Sequence, residues 1–300
     1  MRLVMYDDFR PGLLLRDQVI DLAPALESFG KLDGDEVMLA LIGNYQWIHG
    51  DIQYLATGGG GAPVSSVRLR APNPRPGKIL CAVANYLEFG RRPKPRIDYF
   101  FKSPEAVIGP GDTVVLPGAP ATIFHHEAEL AVVIGKECRN VSEDDAMNCV
   151  FGYTAFIDVS GRNLGRNTGS FFGKSFDTFA PMGPCIVTTD EIPDPHKLRV
   201  RLSVNGQLRQ DYNTDDMANP IPALIEHASG IMTLYPGDMI ATGTNHQGLG
   251  ALQDGDEVLM EIEKIGSFTL SVRDPLKRSW PRGIDEATAA RARGEPQPAR

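Results

Sequence analysis

The chain has 300 residues, room for one large or two modest domains, and its 42% hydrophobic and 23% charged content excludes a disordered or fibrous protein. A net charge of −8, with no basic stripe long enough to track a phosphate backbone, excludes nucleic acid as an expected partner. No apolar run approaches the roughly 18 residues that span a bilayer.

Gly 31 and Pro 23 exceed by half the usual combined share of about 12%. They are dispersed, which predicts many short elements joined by turns, as in β-rich folds. The N-terminus lacks the apolar stretch of a signal peptide. Cys81, Cys138, Cys149 and Cys185 form no C-x-x-C pair, the usage of reduced thiols. Both features predict a cytoplasmic protein.

Residues 1–71 read as a small α+β module. Short β-like runs at 3–6, 13–15 and 18–22 are broken by Pro11-Gly12 and Arg16-Asp17, and short helices are predicted at 24–29 and 36–42. Gly58 to Gly61 are four consecutive glycines, read as a loop, because no Lys-Ser/Thr follows as in a phosphate cradle. Pro72, Pro74 and Pro76 form a stiff connector, so a domain boundary is placed there. Residues 72–275 are strand-rich, with hairpin turns at Asn205-Gly206 and Asp254-Gly255. Ser142 with Asp145 resembles a helix cap, and 221–232 carries helical spacing. Residues 276–300 form a polar tail, with a helical signal at 286–293 and a frayed end.

The chemistry is expected around His125-His126-Glu127-Ala128-Glu129 and the β-branched run after it. On a strand, residues two apart share a face, so Glu127 and Glu129 project together. Two carboxylates entering a buried strand repel and resist desolvation, which a hard divalent cation relieves. The alternative is a strand end in water bearing two ordinary glutamates, and spacing alone does not choose. Asp158 ends another apolar run, at 151–157, and would complete a three-carboxylate set. The two histidines match no zinc spacing; one is expected to pack or to support a ligand from behind.

Several segments, in this order and spacing, resemble the fumarylacetoacetate hydrolase (FAH) family. They are Glu127 to Gly135, Phe156-Ile157-Asp158-Val159-Ser160-Gly161-Arg162, Gly173-Lys174-Ser175-Phe176-Asp177 and Met239-Ile240-Ala241-Thr242-Gly243-Thr244. Linking pieces agree, including Asn85-Tyr86, and the similarity spans roughly residues 78–275. The resemblance implies a β-rich α+β protein, with an FAH-type mixed β-sandwich roll following the small N-terminal domain, and a homodimer. It implies Mg²⁺ or Mn²⁺, with Ca²⁺ a further occupant in crystals, on Glu127, Glu129 and Asp158. Some members use a fourth acid where Asn85 stands here. Lys174 and Arg162 match residues near the substrate, and Thr244 falls in a loop that holds its carboxylate or keto group in relatives. Tyr86 is expected to contact the substrate as well.

A 2-keto acid chelating the cation would have its carbonyl polarised and its enolate stabilised. Lys174 would donate to a developing oxyanion; otherwise it is a surface lysine in a turn. Arg162 either faces the substrate or only pairs with a carboxylate. Three departures from the family pattern stand out. Phe89 lies where relatives carry a lid histidine, leaving Glu88 as a candidate base or a solvated glutamate. Gly165 replaces a glutamine that supplies an oxyanion donor. The loop after Thr244 runs Asn245-His246-Gln247 instead of continuing with proline. His246 is therefore a candidate general acid–base, or else a residue that merely hydrogen-bonds its loop. His49, His196 and His227 are read as structural or surface residues.

The expected activity is hydrolytic C–C cleavage of an acylpyruvate-like 2,4-diketo acid through a metal-stabilised pyruvate enolate, in catabolism of aromatic compounds or sugar acids. The alternatives are a lyase or isomerase (decarboxylase, dehydratase or tautomerase) using the same enolate, or a keto-acid binder that has lost its base.

Overall fold

A computed structural model describes residues 1–164 and 169–295. Three neighbouring strands of one sheet form its heart, Ala128–Ile134, Val150–Ile157 and Ala180–Thr188, and all are buried along their whole length. Their β-branched and aromatic residues suit a strand covered on both faces. They belong to one large mixed sheet. On one side the sheet continues through the parallel pair Met239–Ala241 and Ile79–Ala82 to the edge strand Tyr99–Lys102. On the other it continues through Arg2–Tyr6, Arg10–Leu15 and Gln18–Asp21, with Leu3 opposite Ile186.

Side-chain alternation sorts the residues of this sheet into two cores. Leu3, Met5, Val133, Phe151 and Ile186 pack beneath the helix Val37–Gly58. Their neighbours Val4, Tyr6, Val132 and Val187 join the main core. A second sheet shares that core, ordered Gln207–Asn213, Arg199–Val204, Glu257–Ile262, Gly266–Arg273 and Thr113–Val115. Its strand Glu257–Ile262 buries alternate residues, the pattern of a sheet with one wet face.

The N-terminal helix is far longer than the two turns expected from residues 36–42. It runs through Gly43 and Gly50 because Leu41, Ile42, Ile48 and Ile52 keep a buried face at helical spacing, and packing outweighs the cost of two glycines. The glycine run ends it and then forms the expected loop, with Gly59, Gly60 and Gly61 between the helix and the strand Ala62–Pro63. Gly58 closes the helix, and Gly59 and Gly60 turn the chain away at φ 68° and 87°. The Asn205-Gly206 turn has both residues at positive φ, as a two-residue hairpin requires. Ser142 caps the helix Glu143–Ala146, and the tail contributes the helix Glu286–Ala292.

Among the described residues, no helix is long and apolar enough to cross a membrane. His49 packs edge-on against Tyr45, His227 lies against Tyr99, and His196 Nε2 accepts from the Ile221 N–H.

Candidate active site

The antiparallel pairing that sets Ala128 opposite Ile157 also brings Glu127 and Asp158 together at the strand ends, where Asp158 N–H donates to the Glu127 carbonyl at 2.8 Å. Glu129, two residues along the same face, completes the group. The three side chains are 4%, 2% and 1% exposed, and one carboxylate oxygen from each lies within 4.8 Å of the others.

So much negative charge out of water needs compensation. Lys174 Nζ bridges Glu127 Oε2 at 2.6 Å and Asp158 Oδ2 at 2.5 Å. Burial pushes the Glu127 carboxyl up, but Lys174 and Arg162 outweigh it and hold the group well below the usual range. Glu129 is different. Burial, then the charges of Asp158 and Glu127, drive its carboxyl well above the ordinary value, and among the described residues its one hydrogen-bond donor is the Gly243 N–H at 2.9 Å. Asp158 Oδ1 is buried, with no hydrogen-bond partner among the described residues, and is ion-paired with the buried Lys102 ammonium at 2.7 Å. Three buried carboxylates within 4.8 Å of one another, one of them pushed toward its neutral form by the other two, suit a hard-cation donor set. The all-oxygen group fits a divalent cation.

Each neighbour is held from behind. Lys174 closes the short helix Ser170–Lys174, and its ammonium sits 4.8 Å from the Phe100 ring centre. Burial alone would depress its ammonium pKa, yet Asp158 and Glu127 raise it above the ordinary lysine value. Arg162 lies on the strand Ser160–Arg162, which pairs with Ile123–His125. Its guanidinium donates to Glu127 Oε1 and, at 3.2 Å, to His125 Nδ1. His125 Nε2 in turn meets Asp285 Oδ2 at 3.0 Å. This histidine supports the arginine and is not a ligand. His126 Nδ1 lies 3.0 Å from Gln210 Oε1, and burial depresses its pKa to about 4.

The two loops singled out as departures from the family pattern meet each other. Glu88 is fully buried, and its carboxylate collects three donors. These are the His246 backbone N–H at 3.0 Å, His246 Nδ1 at 2.6 Å and Gln247 Nε2 at 2.6 Å. To turn Glu88 inward, the chain takes three successive left-handed residues, Glu88, Phe89 and Gly90, at φ 55°, 59° and 72°. Such a conformation costs about 1–2 kcal/mol per non-glycine residue. Asp216 holds it, accepting from Phe89 N–H at 3.0 Å and Asn245 Nδ2 at 2.8 Å. Phe89 itself is 54% exposed.

The carboxylates, Arg162, Lys174, Thr244 and His246 line one cavity of about 170 Å³. The Thr244 hydroxyl is already engaged, donating to the Ala128 carbonyl at 2.7 Å and accepting from Gln210 Nε2 at 2.7 Å. Tyr86 is fully buried against Tyr212 and is not among the lining residues. Asn85 spends its amide inside the protein on Asn219 and the Thr242 carbonyl. Gly165 lies outside the described residues.

A family model described as fumarylacetoacetate (FAA) hydrolase C-terminal matches residues 78–273. The chain belongs to the FAH family. Among solved relatives, the maleylpyruvate hydrolase of Sphingobium sp. SYK-6, in complex with manganese(II) and pyruvate, superposes with TM-score 0.81 and is 37% identical. That match covers 91% of this chain and 99% of the other. A 2-hydroxyhepta-2,4-diene-1,7-dioate isomerase from Mycobacterium marinum is 38% identical at TM-score 0.65, covering 72% of this chain and 82% of that one. The mitochondrial oxaloacetate tautomerase FAHD2B of Bos taurus is 42% identical over 218 residues, 68% of this chain and 69% of that protein. As a member of the FAH family, the protein is a metal-dependent enzyme of the hydrolase or isomerase/tautomerase kind acting on keto acids, with the β-rich mixed-sheet fold of its relatives.

Sequence reasoning missed three residues that serve this cavity. Lys102 ends an otherwise aromatic edge strand, and a lone cation in such a run was the available signal. Gln210 ties the carboxylate strand to the Thr244 loop. Asp285 reaches back from the tail to His125, and nothing local announces that contact.

Proposed function

We propose that the protein hydrolyses a C–C bond in an acylpyruvate-like 2,4-diketo acid. The observation that carries the reading is His246, clamped by Glu88 on the rim of the carboxylate cavity. A carboxylate on Nδ1 fixes the tautomer with that proton inside, leaving Nε2 as the proton acceptor. This pair stands in for the lid histidine that Phe89 replaces.

A Mg²⁺ or Mn²⁺ ion on Glu127, Glu129 and Asp158 would polarise the 2-keto carbonyl and take up negative charge on its oxygen. His246 Nε2 removes a proton from water as the water oxygen bonds to the distal carbonyl carbon. Lys174 or Arg162 donates to an oxyanion developing beside the carboxylates. The bond between that carbon and the methylene then breaks, and its electron pair passes to the pyruvate fragment as an enolate. The proton held on His246 returns to the enolate carbon, giving pyruvate and a carboxylic acid. The manganese- and pyruvate-bound Sphingobium relative, matched over almost its full length, supports this assignment.

A second reading, tautomerase or isomerase, is favoured by the 42% identity to the bovine oxaloacetate tautomerase. There the same base would move a proton between the substrate carbon and its keto oxygen, with no water added and no C–C bond broken. Incubating the Mn²⁺-loaded protein with acylpyruvates, oxaloacetate and 2-keto-3-deoxy acids separates them. Release of pyruvate with a second acid is expected. Keto–enol interconversion or CO₂ release without hydrolysis would replace the proposal, and binding without turnover across the panel would reduce the protein to a keto-acid binder.

A further inference from the structure

Beside the carboxylate cavity lies a larger chamber of about 490 Å³, and Arg162 and His246 belong to the walls of both. Its remaining polar lining is mainly cationic, with Arg92, Arg291 and Arg293, and among the described residues no carboxylate contributes to it. Two of the four arginines are already committed. Arg162 serves Glu127 and His125, and Arg293 is paired with Glu295 and Gln247. The guanidinium groups of Arg92 and Arg291 have no hydrogen-bond or ion-pair partner among the described residues.

The chamber is built, not incidental. Arg92 leaves the strained lid turn, where its N–H donates to the Leu87 carbonyl at 2.9 Å. Arg291 rides on the tail helix, whose seat is fixed at several points. Asp285 caps it through Thr288 N–H at 3.0 Å and bonds to His125, Gln247 Nε2 donates to the Ala289 carbonyl at 3.3 Å, and Ala289 is 1% exposed. This helix lies beyond the residues 78–273 matched by the family model.

Like charges gathered in a concavity raise the potential there and select an anion, and a guanidinium is suited to a carboxylate in particular. We infer that Arg92 and Arg291 bind the distal carboxylate of the substrate, so that the enzyme takes 2-keto diacids in preference to keto acids with an uncharged far end. The inference rests on the keto-acid reading above: one end of the ligand sits at the three carboxylates, the other in the arginine chamber.

The test is calorimetric, on the full Mn²⁺-loaded chain, with acids that lack the 2,4-diketo group and are not cleaved. 2-Oxoglutarate is compared with 2-oxopentanoate, and 2-oxoadipate with 2-oxohexanoate, each pair differing only in the distal carboxylate. The diacid is expected to bind at least about tenfold tighter at one or both lengths. Arg291→Gln and Arg92→Gln should each remove most of that advantage, and Arg291→Lys should retain part of it. Equal affinity for diacid and monoacid at both lengths overturns the inference, as does an advantage that survives both glutamine variants. If those results accompany hydrolysis of monoacid acylpyruvates, the proposed function stands without it. If none of the four acids binds, the keto-acid site and this inference fall together.

Discussion

Replacing Glu88 by glutamine changes one atom at the most demanding point of the lid. Three donors converge on the buried carboxylate: the His246 N–H, His246 Nδ1 and Gln247 Nε2. A carboxylate is acceptor-only and can receive all of them. A glutamine must turn its NH₂ toward one. If that one is Nδ1, the imidazole proton is forced to Nε2 and the base is lost; otherwise a buried donor faces another donor. Leaving one such group unsatisfied costs about 1–3 kcal/mol, and loss of a positioned base costs roughly 10²–10⁴ in rate. Glu88→Gln should therefore lower kcat for acylpyruvate hydrolysis by at least about a hundredfold, followed by the loss of diketone absorbance. Urea denaturation should show a modest drop in stability, while Mn²⁺ affinity changes little because Glu88 is not one of the three clustered carboxylates. A folded variant with wild-type kcat would refute the role of the pair.

Mn²⁺ at a hundred times its Kd should stabilise the wild type by about 2.7 kcal/mol, whereas Glu129→Gln should lose most of this gain and, free of metal, be at least as stable as the wild type, since the carboxyl it removes resists ionisation; thermal melts with and without metal decide. Lys102→Met breaks a fully buried ion pair with Asp158 and should cost about 3–5 kcal/mol by urea midpoint, so a variant of wild-type stability would show that Asp158 does not need it. The His196 pKa is lowered by burial, and its Nε2 accepts the Ile221 N–H. The unfolded chain therefore binds the proton first, and stability should fall as pH drops below about 6.5. His196→Gln should lose less stability than the wild type between pH 8 and pH 5, and parallel curves would exclude His196 as the source.

The three-carboxylate cluster was legible because its determinants are local. Glu127 and Glu129 owe their shared face to a period of two, and Asp158 ends the very strand that pairs with theirs. The residues that serve the cluster from a distance were not legible. Asp285 is 160 positions from His125, and Lys102 is 72 from the carbonyl of Lys174 that it also contacts. No periodicity encodes such meetings. Glu88 and His246 were each visible as a departure from the family pattern, but their contact across 158 residues was not. The long N-terminal helix was curtailed in the sequence reading because glycines mask a buried face that becomes apparent only against the sheet it covers.

The opening strand carries a consequence for the order of events during synthesis. Arg2–Tyr6 leaves the ribosome early, finds Arg10–Leu15 at once, and has Met5 and Tyr6 met on its other edge by Leu69–Arg70; yet Ala180–Thr188, the partner of Arg2 and Leu3, follows some 180 residues later. Until then the edge at Arg2 and Leu3 has no strand to join, and Leu3 and Met5 lack the contacts of Val133, Phe151 and Ile186, the situation in which nascent chains associate wrongly. Yield in a cell should therefore depend on how quickly the middle of the message is read, and slowed translation ahead of the codon for Ile186 would be felt as aggregation rather than as lost activity per folded molecule.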